Sequence, residues 1–168
     1  MSKKQLIEVA ERLREIIPGI RSLSVDGTRE LGYLVVAERM KSRGGRRTYD
    51  IPAWLLSEGT RRLTAMYALL TATPRPALLA IEEIENGLDP WTLEAVFRDL
   101  RGASQSGTQI LLTTHSPFLL DHVALKEVIH VHRSDGDTAY TPIESYDDVV
   151  KYAGQVPPGA MYLSDYMK

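Results

Sequence analysis

Two short apolar runs do most to restrict what this chain can fold into. Leu78-Leu79-Ala80-Ile81 and Ile110-Leu111-Leu112-Thr113 each stop abruptly at polar residues. A helix is expected between them, from about Trp91 to Leu100, with the loop GASQSG after it. Before the first run, Glu58 to Ala72 has helical spacing, with Leu63, Met66, Tyr67, Leu69 and Leu70 near one side, and TPRP at Thr73 to Pro76 breaks it. After the second run, a helix from Phe118 to about Val123 leads to Val128–His132, which reads as a third buried strand. The order is helix, strand, helix, strand, helix, strand. Short apolar strands joined by helical crossovers favour a mostly parallel sheet flanked by helices, an α/β fold. Chemistry in such sheets collects at the carboxyl ends of the strands. Glu82-Glu83 follow the first run directly, and Thr114–Ser116 follow the second.

The flanks read differently. Lys3 to Ile17 carries Leu6, Val9, Ala10, Leu13, Ile16 and Ile17 at helical spacing, and Pro18-Gly19 stops it. Ile20 to Val25 alternates apolar and polar residues, Asp26-Gly27 reads as a turn, and Leu31 to Ala37 is a second strand. The tract KSRGGRR, Lys41 to Arg47, is expected as a loop tip before a short strand near Tyr49 to Ile51. In the tail, Asp135-Gly136 turns into a hairpin partner near Thr138 to Pro142, and Tyr146 to Tyr152 forms a short helix. The expected organisation is one domain over 168 residues: an N-terminal helix and antiparallel strands (1–50), a motif-bearing core (51–123) and C-terminal strands with a tail (124–168). Zero cysteines exclude disulfide scaffolds, thiolate metal sites and cysteine nucleophiles. No signal peptide and no membrane-length apolar run is visible, so a cytoplasmic protein without a membrane partner is the expectation.

Three segments carry candidate chemistry. In LLAIEEIENGLDP, a carboxylate closing a strand can hold Mg²⁺ beside a triphosphate, and a second can polarise the attacking water. The ordinary reading is a solvated loop whose acids favour the next helix start; it is preferred for Glu85 and Asp89, whereas Glu82 and Glu83 abut four apolar residues and favour function. In LLSEGTRR, Ser57 and Gly59 stand at a helix start, where unpaired N–H groups favour an anion, although a plain serine N-cap explains these residues as well. In LLTTHSPF, His115 after a strand can donate to a phosphate oxygen, or be an ordinary loop histidine. The remaining histidines, His122, His130 and His132, share no metal-ligand spacing with it.

Together these segments resemble the C-terminal half of an ABC-type ATPase head of the SMC-, RecF- and OLD-like AAA ATPases. LLSEGTRR resembles the signature motif, LLAIEEIENGLDP resembles Walker B running into the D-loop, and TTHSP resembles the switch-histidine loop. The resemblance covers about Ile51 to Val123 and implies a P-loop NTPase-like fold using ATP and Mg²⁺. It implies that Glu82 holds the magnesium shell, where aspartate is commoner, and that Glu83 is the catalytic base orienting water. It further implies that His115 contacts the γ-phosphate and that Asp89 belongs to the D-loop between two heads. Ser57 and Gly59 would bind the γ-phosphate held by an opposing head, making a homodimer of heads part of the mechanism. Arg61 or Arg62 would support that helix start.

No G-x-x-x-x-G-K-[ST] occurs in these residues, so the Walker A loop that cradles the phosphates is missing, as is a recognisable Q-loop. The resemblance therefore implies a half head: a natural split piece, a degenerate relative or a truncation, whose partner is a Walker A-bearing N-terminal half. DNA repair or phage defence, with DNA or a nuclease as effector, is the expected setting. The competing expectation is a non-catalytic dimerisation or regulatory module on the same fold. Nucleic-acid binding through Lys41, Arg43, Arg46 and Arg47 is a third reading, ranked below a solvated hairpin tip.

Overall fold

A computed structural model describes residues 1–28 and 31–167. They form two compact units, Met1–Thr113 and Thr114–Lys168, and the division falls inside the motif-bearing segment.

The first unit opens with α1 (Lys3–Ile16), whose N-terminus is closed by a reciprocal pair: Ser2 Oγ accepts from Gln5 N–H and Gln5 accepts from Ser2 N–H. Val9, Ala10 and Leu13 bury one face of α1 against β1 (Ile20–Gly27) and α2 (Glu58–Leu70). Strands β1, β2 (Gly32–Ser42) and β3 (Gly45–Pro52) form an antiparallel sheet in that order. The tract expected as a loop tip is mostly strand: Lys41 pairs with Arg46 and Ser42 with Gly45, leaving Arg43-Gly44 as the turn. Gly45 at φ +112° supplies the left-handed conformation that lets two strands close so tightly.

Strand β4 (Leu78–Ile81) pairs in parallel with β5 (Gln109–Leu112), connected through α3 (Pro90–Gln105), which packs on β5. The expected strand–helix–strand crossover is therefore present. Leu79 is buried on one face, and Leu93, Val96 and Leu100 of α3 are buried as well, but Leu78 and Leu111 on the other face of the strand pair remain 53% and 59% exposed. Burial on both faces, expected from the apolar runs, is thus replaced by burial on one face and an open second face.

The second unit contains α4 (Pro117–Leu120), β6 (Ile129–Ser134), β7 (Asp137–Pro142), α5 (Asp147–Tyr152) and α6 (Pro158–Leu163). The run expected as a third buried strand is half-exposed β6, paired antiparallel with β7. Asp135 (φ 51°) and Gly136 (φ 93°) form the tight turn that dictates this local hairpin in place of a crossover. Ile143, Val149 and Met161 make the core of this unit, surrounded by Leu125, Val128, Tyr146, Tyr152 and Val156. Helix α6 had no strong sequence signal: it is six residues long and begins at Pro158.

Candidate functional site

The chain does not leave β4 in an extended conformation. Glu83 sits at φ 45°, a left-handed value that costs a non-glycine residue about 1 kcal/mol or more. Several contacts hold it there. Its N–H donates to Thr113 Oγ1 at 2.9 Å, immediately beyond β5. Arg62 Nη2, from α2, donates to the carbonyls of Glu82 and Glu83 at 2.6 and 2.8 Å. The Glu83 carboxylate accepts from Asn86 Nδ2. Next in the chain, Ile84 is 1% exposed and donates its N–H to the Thr113 carbonyl at 3.2 Å. A buried apolar plug thus anchors an otherwise solvent-facing acidic turn. The bend interrupts the strict two-residue alternation of strand side chains that would send Glu82 and Glu83 to opposite faces.

The start of α2 is joined to this same turn. Ser57 is the N-cap: its Oγ accepts from Thr60 N–H at 3.2 Å and shares a hydrogen bond with Thr60 Oγ1 at 2.8 Å. Gly59 is buried because Gly87 lies against it; a Cβ at position 59 would stand 2.1 Å from the Gly87 carbonyl oxygen. The close backbone approach that Gly59 permits is therefore, in the first instance, an approach by the chain's own turn. Gly87 needs φ +74° to complete it. Asp89 then caps α3, accepting from Trp91 N–H, Thr92 N–H and Thr92 Oγ1 at 3.1, 3.0 and 2.7 Å. The Thr92 hydroxyl, aided by the backbone donors, holds this carboxyl below the usual aspartate range.

Ser57, Gly59, Glu82, Glu83 and Asp89 accordingly lie on one connected piece of the first unit. His115 belongs to the second unit, where its Nδ1 is 3.3 Å from Tyr162 Oη. Of the two arginines left open by the sequence, Arg62 makes the bridge between α2 and the acidic turn. Thr113, Asn86 and Gly87 were not singled out beforehand. Asn86-Gly87 is legible as a turn dipeptide, whereas nothing local marks Thr113 as the acceptor for a residue thirty positions away.

The donor set suits a hard cation. Glu82 is exposed at the strand end with no partner for its carboxylate among the described residues, and Glu83, next in the chain, carries a second exposed carboxylate of which one oxygen accepts from Asn86 Nδ2. Among the described residues no group of three or more His, Cys, Asp or Glu side chains could hold a metal ion alone. One or two carboxylates completed by water and phosphate oxygens is the usual manner of holding Mg²⁺.

Residues 8–121 match the family described as "AAA domain, putative AbiEii toxin, Type IV TA system". The chain belongs to this AAA domain family. No curated protein matches it in sequence. Among solved structures, this AAA domain is similar to an SMC ATPase from work on ATP-driven dimerization and DNA-stimulated activation, at 18% identity and TM-score 0.54, covering 80% of each chain. It is also similar to an Smc head bound to the C-terminal winged-helix domain of ScpA, at 18% identity and TM-score 0.58. A third is an Smc head with an extended coiled coil bound to the C-terminal domain of ScpA, derived from Pyrococcus furiosus, at 18% identity and TM-score 0.55. The AAA domain covers 80% and 86% of its own length in those two matches and spans only 40% and 36% of the partner chains. The fold is that of SMC ATPase heads, an α/β P-loop NTPase fold. Among the described residues, no helix is long and apolar enough to cross a membrane.

Proposed function

We propose that this AAA domain is the signature, Walker B and switch portion of an ATP-hydrolysing head, working with a segment that bears a Walker A loop and with a second head facing it. The observation that carries the reading is the pinned acidic turn: Glu83 held in a left-handed conformation by Arg62, Thr113 and Asn86 at the carboxyl end of a parallel strand. Strained, over-determined residues cluster where chemistry is done. The open face of β4–β5 supports a further layer, because parallel strands are ordinarily covered on both sides. In this reading the Walker A-bearing segment packs there.

Glu82 would hold Mg²⁺, which when bound offsets charge on the phosphate oxygens. Glu83 orients and deprotonates water; Arg62 and Thr113 fix its backbone, and Asn86 holds its carboxylate. His115 donates a hydrogen bond to the γ-phosphate. Ser57 and Gly59 set the N-terminus of α2 toward the γ-phosphate of the opposing head, with Asp89 at the interface between heads. The effector is DNA or a nuclease, in DNA repair or phage defence; the toxin–antitoxin description of the family is compatible with the latter.

The test is Mg-ATP turnover by the chain combined with a Walker A-bearing half. Glu83→Gln should lower that turnover at least ~100-fold while nucleotide still binds, as expected for loss of a general base. An unchanged rate in this variant would remove the role given to Glu83. One observation favours a second reading, a non-catalytic dimerisation or regulatory module: Ser57 and Gly59 already have internal uses, capping α2 and admitting Gly87. Self-association or partner binding with no dependence on nucleotide would identify that module.

A further inference from the structure

Strands β2 and β3 extend beyond their contact with β1. The pairing of β1 with β2 ends at Ile20 opposite Glu38, while β2 and β3 continue to pair from Arg39 opposite Thr48 to Ser42 opposite Gly45. The result is a two-stranded ribbon. Its nine residues from Arg39 to Arg47 hold Arg39, Lys41, Arg43, Arg46 and Arg47 with no acid among them, in a chain of net charge −2. All five cations are exposed, and none has a hydrogen bond or ion pair to its side chain among the described residues.

This arrangement does not serve the fold. Lys41 and Arg46 are directly opposite, so two like charges share one face of the ribbon, where opposite charges would stabilise and like charges destabilise. Arg39 lies two residues along on that same face, and Arg47 projects from the other beside Met40. The acids that flank the ribbon in the chain, Glu38 and Asp50, sit at its base and form no ion pair with a ribbon cation among the described residues. An exposed cluster that repels itself is rationalised by an external polyanion.

We propose that the β2–β3 ribbon is an arm that binds the phosphate backbone of duplex DNA. A two-stranded ribbon matches the width of a major groove, and cations on both faces and at the turn can meet phosphates on its two walls. An anionic membrane fits less well, since the turn, Arg43-Gly44, carries no large apolar side chain to insert. The proposal supplies a surface for the DNA effector named above, but binding by the ribbon requires no ATP hydrolysis, so the two readings can fail separately.

The experiment is fluorescence anisotropy of the full chain with a mixed-sequence 25-base-pair (about two helical turns) DNA duplex, titrated across salt concentrations. Five phosphate contacts predict a slope of log K against log salt of about −4.5, equivalent to a loss of about 500-fold between ~50 and ~200 mM salt. The combined variant Arg43→Gln, Arg46→Gln, Arg47→Gln should reduce that slope by about 3. Its urea midpoint should be no lower than that of the parent, because like-charge repulsion is relieved. A matched variant, Lys3→Gln, Lys4→Gln, Arg21→Gln, also removes three exposed cations and should leave the slope unaltered. The proposal is overturned if the parent chain fails to bind DNA at low salt. Equal slopes for parent and ribbon variant, an equal loss in the matched variant, or ribbon-dependent binding to phosphatidylserine vesicles in place of DNA would overturn it too.

Discussion

Replacing Gly59 with alanine places a methyl group 2.1 Å from the carbonyl oxygen of Gly87, with its carbonyl carbon at 3.1 Å and Leu88 Cδ2 at 3.4 Å. Contacts under 3.0 Å are essentially never made by real Cβ atoms, so the turn must retreat by roughly 0.9 Å to reach even that limit. The obstacle is backbone, not the free end of a side chain, and it is the same turn that Arg62 and Thr113 fasten to α2 and β5. Overpacking of a fixed contact costs about 1–3 kcal/mol, and the backbone here places Gly59→Ala in the upper half, about 2–3 kcal/mol. For a chain of 168 residues this corresponds to a fall in Tm of about 4–12 °C.

Urea titration followed by circular dichroism measures the loss, and two other substitutions calibrate it. Gly102→Ala lies in α3 with nothing within 4 Å of the new Cβ, so it should stabilise by about 0.5–1 kcal/mol through helix propensity alone. Gly87→Ala meets Gly59 N at 2.8 Å and must also hold φ +74°, so it should cost at least as much as Gly59→Ala. Because both changes strain one contact, the double variant should cost less than the sum of the singles. If Gly59→Ala instead behaves like Gly102→Ala, the apposition of α2 and the acidic turn is wrong, and with it the structural role given to Gly59.

Two further perturbations bear on the same piece of structure. Arg62→Met removes two charge-assisted hydrogen bonds but keeps the apolar stem; allowing for partial exposure, a loss of about 1–2 kcal/mol is expected, against under ~0.5 kcal/mol for Arg61→Met, read from urea midpoints. Asp89→Ala removes the cap of α3 and should cost about 1 kcal/mol at neutral pH. Since the folded carboxyl titrates below the ordinary 3.8, the ionised cap contributes fully above that pH and is lost as pH falls below it. The difference between parent and Asp89→Ala should accordingly shrink on acidification; a difference independent of pH would show that the carboxylate charge does not matter.

Where the local period was strong, the chain's own residues determined the element. The spacing of Val9, Ala10 and Leu13 yields α1, and Leu63, Met66 and Tyr67 face the core of α2, because a helix buries whichever stripe is apolar. The acidic strand end and the N-cap serine were legible for the same reason, each depending on residues a few positions apart, and the parallel crossover followed from the order in which such local elements alternate. The AAA domain's other features depend on residues far apart in sequence. Val128–His132 is as apolar as a buried strand, yet the turn at Asp135-Gly136 offered β6 an immediate antiparallel partner, and closing a short loop costs less entropy than a crossover. The run Lys41–Arg47 reads as a loop by its charge, but alternation with exposed faces is compatible with a ribbon, and only pairing decides. The open face beside Leu78 and Leu111 could not be read from the runs, since apolar content shows that a residue can be buried but not what covers it. At the acidic turn the division is clearest. Composition and order set Glu82 and Glu83 at a strand end, while the left-handed bend at Glu83, the Thr113 and Arg62 hydrogen bonds that hold it and the seat of Gly59 on Gly87 came from tertiary contact between segments 20 to 30 residues apart.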